Sequence, residues 1–308
     1  MIGYVDTFSG ASGDMLVGAL LDLGLALTEL EESLARLQLS DYRLVAEPQV
    51  RRGISGTKFT VVDEGAGRPA RNLAAVTAVV ERAALEPEVA ERSLQVFRAI
   101  AEAEAAVHGT TVDEIHFHEI GAVDSLIDVV GFCWGLHRLG IEALYCSPLP
   151  LGSGTVRTEH GLLPVPAPAT LELLAAVGAP TVPTEARGEL VTPTGAALLA
   201  ALASFERPAM TVRRVGYGFG TKEFPWANML RLWVGEALHT PWVPGAPTAP
   251  QAHEHGDHDH PHPHEHSDAH EHSDAHAHGD HDHPHDHPHD HDHDHPHDHE
   301  HPHEDHAH

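Results

Sequence analysis

The stretch IGYVDTFSGASGDMLVGALLDLG, residues 2–24, decides how the fold begins. Its apolar run at 2–8 predicts a short buried strand, and the glycine and serine residues at 9–13 predict a tight turn. Apolar residues at helical spacing then predict a helix from Asp14, which ends at Gly24. A strand, a glycine-rich turn and a helix in this order form a common beginning for a ligand-binding domain.

The turn carries the groups that an anion site needs. Glycine lets the backbone approach a ligand closely, the hydroxyls are donors, and the following helix presents unpaired N–H groups. The Gly-Lys-Ser/Thr ending of a P-loop is missing, and an aspartate replaces the last glycine of a nucleophile elbow. Asp14 would repel an anion unless a metal ion or a lysine lay between them, which favours a metal-bridged phosphate; a capped tight turn is the alternative. The candidate phosphate-binding residues are Asp6, Ser9, Gly10, Ser12, Gly13 and Asp14.

Strands and helices alternate through the next 200 residues without a regular βαβ repeat. The patterns predict an α+β (mixed α/β) fold, built as one large domain or two intimate subdomains. Residues 144–166 are rich in proline and glycine and are expected to run across the surface. In this part of the chain, helices are predicted at 28–37, 72–85 and 88–107, two strands are predicted within 42–62, and further strands are predicted at 211–219 and 229–236.

The sharpest cluster of ionisable residues lies between positions 112 and 128. Residues 112–119 are expected to be extended, so that two histidines project from one face, and an aspartate then caps a helix that carries a second aspartate one turn further on. Two imidazoles with carboxylates could bind a divalent cation or act as acid and base, whereas ordinary core and capping roles are the alternative. The candidate catalytic residues are His116, His118, Glu119, Asp124 and Asp128, of which His116, His118 and Asp128 are also candidate metal ligands.

Four further polar residues lie where they could reach a ligand. His160 is in the proline- and glycine-rich segment. Thr192 and Thr194 begin a predicted helix, with Thr192 as the N-cap and proline at the first helical position. Lys222 follows a glycine-spaced turn and could present a cation to a phosphate. A capping or solvated role is the alternative for each residue.

The C-terminal segment is a histidine-rich tail. It contains 25 of the 31 histidines and 17 of the 46 acidic residues, without lysine or arginine. Imidazole beside carboxylates suits Zn, Cu, Fe or Ni, and the scarcity of large apolar side chains predicts disorder. The predicted organisation is a domain at 1–240, a proline-rich linker at 241–252 and the tail at 253–308. The candidate tail ligands are His281, His283, His285, His287, His289, His291, His293 and His295.

The composition limits the kinds of partner and the location that we expect for this chain. The net charge of −28, without a lysine or arginine stripe, argues against nucleic-acid binding. The chain shows neither an 18-residue apolar span nor a leader pattern, which predicts a cytoplasmic location without membrane contact. Cys133 and Cys146 lie in apolar stretches and are expected in the core rather than on a metal.

Six stretches together resemble the LarC family of nickel-insertion proteins, and the resemblance covers nearly all of residues 1–236. It implies a nickel chelatase of the metal-ion lyase class. Such an enzyme inserts Ni(II) into pyridinium-3,5-bisthiocarboxylic acid mononucleotide with CTP and Mn or Mg, giving the nickel-pincer cofactor of lactate racemase-like enzymes. The stretches are YVDTFSGASGDMLVGALLDLG (4–24), AEAEAAVHG (101–109), FHEIGAVDSLIDVVG (117–131), SPLPLGSGTVRTEHGLLPVPAPATLELL (147–174), ELVTPTGAALL (189–199) and GYGFGTKEFPWANMLRLWVGE (216–236).

The resemblance also implies a division of labour. The turn after the first strand would hold the phosphate and the 116–128 cluster would handle the metal, while the substrate supplies the sulfur ligands. Family members carry a further C-terminal portion where this chain has its tail, so CTP binding is expected to need a separately encoded second polypeptide. Homo-oligomerisation is left open. The rival readings are a non-catalytic nickel chaperone or store that delivers metal to the insertase, and a metal-dependent nucleotide hydrolase.

Overall fold

The computed structural model describes residues 1–65, 71–115, 117, 123–158 and 160–238. These residues form eleven strands and seven helices. The strands are β1 (Ile2–Asp6), β2 (Tyr42–Arg51), β3 (Ile54–Asp63), β4 (Ala143–Cys146), β5 (Leu149–Pro150), β6 (Gly154–Thr158), β7 (Gly161–Val165), β8 (Thr181–Val182), β9 (Ala203–Ser204), β10 (Met210–Phe219) and β11 (Met229–Ala237). The helices are α1 (Gly13–Asp22), α2 (Leu27–Ala35), α3 (Leu73–Arg82), α4 (Pro87–His108), α5 (Val123–Arg138), α6 (Pro168–Ala176) and α7 (Pro193–Leu202).

Seven strands form one mixed sheet in the order β2-β3-β10-β11-β1-β4-β9. Strand β1 pairs antiparallel with β11 and parallel with β4, so that Tyr4 lies between Trp233 and Tyr145. Two small sheets stand apart from it, the parallel pair β5 and β8 and the hairpin of β6 and β7. Helices mixed with a mixed sheet confirm the predicted α+β class.

Helix α1 lies between the main sheet and helix α5. It packs on β3, β10 and β11, and α5 packs against it. Leu16 and Leu20 on α1 are fully buried, as is Phe132 on α5. Truncating a leucine at such a site costs about 2–5 kcal/mol, because the lost burial and the remaining cavity add. The predicted strand, turn and helix at 2–24 are confirmed, and the whole sheet is assembled around them.

Two local predictions are wrong. The described residues at 112–115 form a turn after α4 rather than an extended segment, since Glu114 N–H bonds back to Thr111 O at 3.1 Å. Only Phe117 of the described part of this segment pairs as in a strand, through an antiparallel bridge with Arg71. Residues 144–166 do not simply cross the surface. Strand β4 lies inside the main sheet beside β1, because Leu144 and Cys146 supply a buried apolar face.

The described residues belong to one compact unit. Cys133 and Cys146 are buried there with free thiols, as the sequence predicts. Within the described ranges, each helix is too short or too polar to cross a membrane. Residues 239–308 lie outside the described part, so the linker and the tail remain predictions.

Candidate functional site

The first turns of three helices meet around one polar cleft. Ser12 and Asp14 begin α1, Ser125 lies in the first turn of α5, and Thr194 lies in the first turn of α7. The cleft consists of two cavities of about 270 Å³ and 160 Å³, named here the Asp128 cavity and the Lys222 cavity. The two cavities share lining residues, namely Ser12, Asp14, Thr192 and Thr221. Three converging helix N-termini give the cleft a positive backbone field.

Two glycines allow this convergence. A Cβ atom on Gly13 would lie 2.4 Å from Asp128 Oδ2, so the start of α1 packs directly against the α5 carboxylate. A Cβ atom on Gly195 would lie 2.3 Å from Ala11 O, so the start of α7 packs against the turn before α1. Neither approach tolerates a side chain. Gly13, a candidate from the sequence, fits in the cleft because it has no side chain.

A buried lysine holds the aspartate of the turn. Lys58 on β3 points into the Asp128 cavity, and its Nζ donates to Asp14 Oδ2 and to Phe59 O at 2.9 Å. The Lys58 side chain is 10% exposed. The Ser12 hydroxyl donates to Asp14 Oδ1, which also accepts the N–H of Met15 at 2.9 Å. Asp14 is therefore neutralised by a lysine, one of the two partners that the sequence argument requires.

Lys58 is absent from the sequence candidates. The sequence shows a lysine between Thr57 and Phe59 in a predicted strand. A lysine in an alternating strand normally lies on the solvated face, so the pattern does not point to a buried site. Residues 56–59 are all buried, which the pairing of β3 with β10 brings about and the residue pattern alone does not indicate.

The two α5 carboxylates have raised pKa values. The pKa of Asp128 lies well above its ordinary value because burial disfavours the charged form, and the negative charges of Asp14 and Asp124 add to the effect while Lys58 opposes it. Asp128 Oδ1 is buried and has no hydrogen-bond partner among the described residues. Burial also raises the pKa of Asp124, although this residue keeps part of its surface in solvent. The cleft therefore holds a carboxyl group that keeps its proton more readily than an exposed aspartate does.

Asp124 does not cap α5 as predicted. The helix already includes Val123, so Asp124 lies inside its first turn, where Oδ1 accepts the N–H of Ser125 at 2.7 Å. The prediction for Thr192 is confirmed, since its hydroxyl accepts the N–H of Gly195 at 3.2 Å and caps α7. Thr194 Oγ1 contacts Ser125 Oγ at 3.5 Å, which links the starts of α7 and α5.

The Lys222 cavity gathers Ser9 from the turn after β1 and Lys222 from the loop after β10. Ser9 Oγ accepts the indole N–H of Trp226 at 2.9 Å, and Lys222 Nζ donates to Glu189 O at 2.7 Å. Both residues are sequence candidates, and both have structural partners at the edge of the cleft. Thr60, Thr221 and Ser125 line the cleft without being sequence candidates.

The structure does not bring every candidate to the cleft. Asp6 ends β1 and pairs with Arg231 on the neighbouring strand β11, outside both cavities. Gly10 packs its backbone against Leu190 and serves the turn. His160 lies in a third cavity of about 430 Å³. The following candidates lie outside the described residues: His116, His118, Glu119, His281, His283, His285, His287, His289, His291, His293 and His295.

A preformed metal centre is not part of the cleft as described. Within the described ranges no group of three or more histidine, cysteine, aspartate or glutamate side chains is arranged to hold a metal ion. Asp124 and Asp128 are therefore at most partial ligands there. Any metal bound in the cleft would need further ligands from a substrate or from residues outside those ranges.

The fold is an α+β fold, and its candidate site combines helix N-termini with a buried lysine and carboxyl groups. The family model for "nickel insertion protein" matches residues 3–272, and the chain belongs to that family. No solved structure matches it significantly.

The chain has several curated relatives. A Thermomicrobium roseum protein with the provisional name of nickel insertion protein is 57% identical over 241 residues, which cover 78% of this chain and 59% of the relative. The pyridinium-3,5-bisthiocarboxylic acid mononucleotide nickel insertion protein of Desulfitobacterium hafniense is 48% identical over 235 residues, which cover 76% of this chain and 58% of the relative. The chain thus spans less than two thirds of the length of these relatives.

Proposed function

We propose that this chain inserts Ni²⁺ into pyridinium-3,5-bisthiocarboxylic acid mononucleotide, the substrate in the name of its Desulfitobacterium relative. The product is the nickel-pincer cofactor of lactate racemase-like enzymes. The observation that carries the proposal is the meeting of three helix N-termini beside Lys58 in a cleft of polar side chains. Such a place suits the phosphate of a mononucleotide, because backbone N–H groups and a lysine stabilise its negative charge.

In this proposal the two sides of the Asp128 cavity have different tasks. Ser12, Gly13, Lys58 and Thr194 hold the phosphate, and Asp14 positions Lys58. Asp124 and Asp128, with His116, His118 and Glu119 of the adjoining segment, handle nickel. The substrate contributes its own sulfur ligands, which are soft donors suited to the ion, so few protein ligands are needed.

The family resemblance implies that the reaction depends on CTP with Mg²⁺ or Mn²⁺. Among the described residues, this cleft combines helix N-termini with a lysine. We assign it to the phosphate of the mononucleotide. CTP would then bind a separately encoded second polypeptide. Purified chain alone is expected to leave CTP intact, and CTP turnover by the chain alone would contradict this assignment.

The phosphate assignment is tested by Lys58→Gln. This substitution removes the cation but keeps a polar side chain of similar length, and we expect the precursor mononucleotide to bind at least tenfold more weakly. The matched ligand is the dephosphorylated precursor, whose binding should be unchanged because it lacks the group that Lys58 contacts. Titration calorimetry with both ligands measures the difference. Equal weakening of both ligands would place the phosphate elsewhere.

A second candidate function is a nickel store that delivers metal to the insertase, favoured by the 25 tail histidines. The two functions differ in what the cleft contributes. A store would lose its role when the tail histidines are replaced and would be indifferent to Lys58→Gln and Asp128→Asn. At saturating nickel, an insertase would keep its activity without the tail histidines and would lose activity in Lys58→Gln and Asp128→Asn.

A further inference from the structure

Two histidines face a cavity that the proposed phosphate site does not use. His108 at the end of α4 and His160 in the turn between β6 and β7 line the cavity of about 430 Å³, named here the His160 cavity. Their ring centres lie 5.0 Å apart, with an angle of 53° between the ring planes. The two residues are 52 positions apart in sequence, so the tertiary fold brings them together.

We infer that His108 and His160 form a two-imidazole docking site for Ni²⁺ on its way to the substrate. The inference rests on the proposed function for the choice of ion. Imidazole nitrogen is a suitable ligand for nickel. With metal–nitrogen bonds of about 2.0–2.1 Å, two imidazoles on one ion place their ring centres roughly 4.5–5.2 Å apart. The observed spacing falls within that interval.

The surroundings of the pair support a metal-binding role. Glu104 lies one turn before His108 on α4, and its Oε2 is 3.4 Å from His108 Nε2. A carboxylate on one ring nitrogen is the usual partner that orients a metal-binding histidine and raises its basicity. Leu163, Ala167 and Pro168 form apolar walls of the same cavity.

The His160 cavity adjoins the proposed substrate site. Glu189 borders both the His160 cavity and the Lys222 cavity, and Pro193 at the start of α7 borders the His160 cavity directly after Thr192 of the cleft. An ion held by His108 and His160 would therefore lie next to the cleft. The positive end of α7 would separate it from the phosphate.

A site with two protein ligands suits an ion that must leave again. Structural metal sites are closed by four protein ligands, whereas sites that exchange a ligand keep positions open. The open positions would be filled by water and then by the sulfur atoms of the substrate.

The test measures Ni²⁺ binding without precursor, in the full-length chain whose 25 tail histidines are replaced by asparagine. Titration calorimetry is expected to show a nickel site in the body at the His160 cavity. His108→Asn and His160→Asn should each weaken that site at least tenfold. The matched control is His137→Asn on α5, because His137 also pairs with a glutamate, Glu88 at 3.1 Å, but lies outside the cavity.

Three results would overturn the inference: undetectable nickel binding in the tail-substituted chain, unchanged affinity in both cavity variants, or equal weakening by His137→Asn. Thermal unfolding of each variant separates lost binding from lost folding. Because the precursor is absent from this assay, its outcome is independent of whether Lys58 holds the phosphate. Failure of the phosphate assignment would thus leave the nickel result intact, and the reverse also holds.

Discussion

At the scale of single residues, Asp128 is the most unusual group in the cleft. Its Oδ1 atom is buried without a hydrogen-bond partner among the described residues, and its neighbours include Asp14 as well as Lys58. A buried carboxylate oxygen without a hydrogen-bond donor costs folding free energy, which structural needs alone do not justify. Retaining it is understandable if Asp128 meets a cation or a proton during function.

Asp128→Asn should stabilise the chain at pH 7 and have little effect near pH 4. The raised pKa of Asp128 means that the folded chain holds a proton that the unfolded chain releases, so this group's contribution to stability falls as pH rises above about 4. Asparagine removes that loss, and we expect the free energy of unfolding to rise by roughly 1–3 kcal/mol at pH 7. For a chain of this size the gain raises Tm by about 2–4 °C per kcal/mol.

Thermal unfolding at the two pH values measures this effect. Asp113→Asn, at an exposed position in the turn after α4, is the control and should change Tm little at either pH. A lower Tm for Asp128→Asn at pH 7 would mean that the charged carboxylate stabilises the fold, contrary to its surroundings. Nickel insertion by the same variant should nevertheless fall, since the proposal gives Asp128 a role in handling the metal.

At the scale of elements, the starts of α1, α5 and α7 make the cleft, and their contribution can be separated from stability. Thr192 caps α7 in the cleft, and Asn72 caps α3 through its bond to the N–H of Ala75 at 2.9 Å. Thr192→Ala and Asn72→Ala should each cost about 0.5–2 kcal/mol, because each removes one capping bond. Only Thr192→Ala should also weaken precursor binding.

Chemical denaturation of the two cap variants measures their stability, and titration calorimetry measures their affinity for the precursor. Equal precursor binding by Thr192→Ala and the original chain would show that the start of α7 is not part of the phosphate site. Weaker binding by Asn72→Ala would show that general loss of stability, rather than the lost cap, controls affinity. The comparison works because α3 lies outside both cavities of the cleft.

Local signals predict local elements well in this chain. The strand and helix around the Ser9–Gly13 turn, the cap at Thr192 and the strands β10 and β11 follow from apolar spacing, glycine and proline. The partners of those elements do not follow, because sheet order depends on contacts between distant segments. Lys58 and Asp14 are 44 positions apart, and His108 and His160 are 52 positions apart. The sequence places Asp6 among the phosphate candidates because it precedes the glycine- and serine-rich turn, but its partner Arg231 comes from a strand 225 positions later.

At the scale of the whole molecule, the histidine-rich tail and the body have different proposed tasks. In the proposed function, the tail raises the local concentration of nickel and the cleft binds the substrate. Because histidine has an ordinary pKa near 6.5, protons compete with metal for its nitrogen, and nickel uptake by the full chain should fall steeply below about pH 6. Equilibrium dialysis at pH 5 and pH 7.5 measures the uptake.

The control for the tail is the full-length chain with its 25 tail histidines replaced by asparagine. This chain should bind far fewer nickel ions at pH 7.5, with only the body contributing. Nickel uptake that stays constant between pH 5 and pH 7.5 would contradict binding through imidazole. Equal uptake by the original and substituted chains would contradict a metal-binding tail.

The most direct measurement is the yield of nickel-inserted mononucleotide at saturating nickel, with precursor, CTP and the second polypeptide present. Three full-length chains are compared: the original chain, the chain with its tail histidines replaced, and Lys58→Gln. If the cleft performs the chemistry, the tail-substituted chain keeps most of its yield and Lys58→Gln loses at least tenfold at limiting precursor. Loss of product with the tail histidines but full yield from Lys58→Gln would contradict the proposed site.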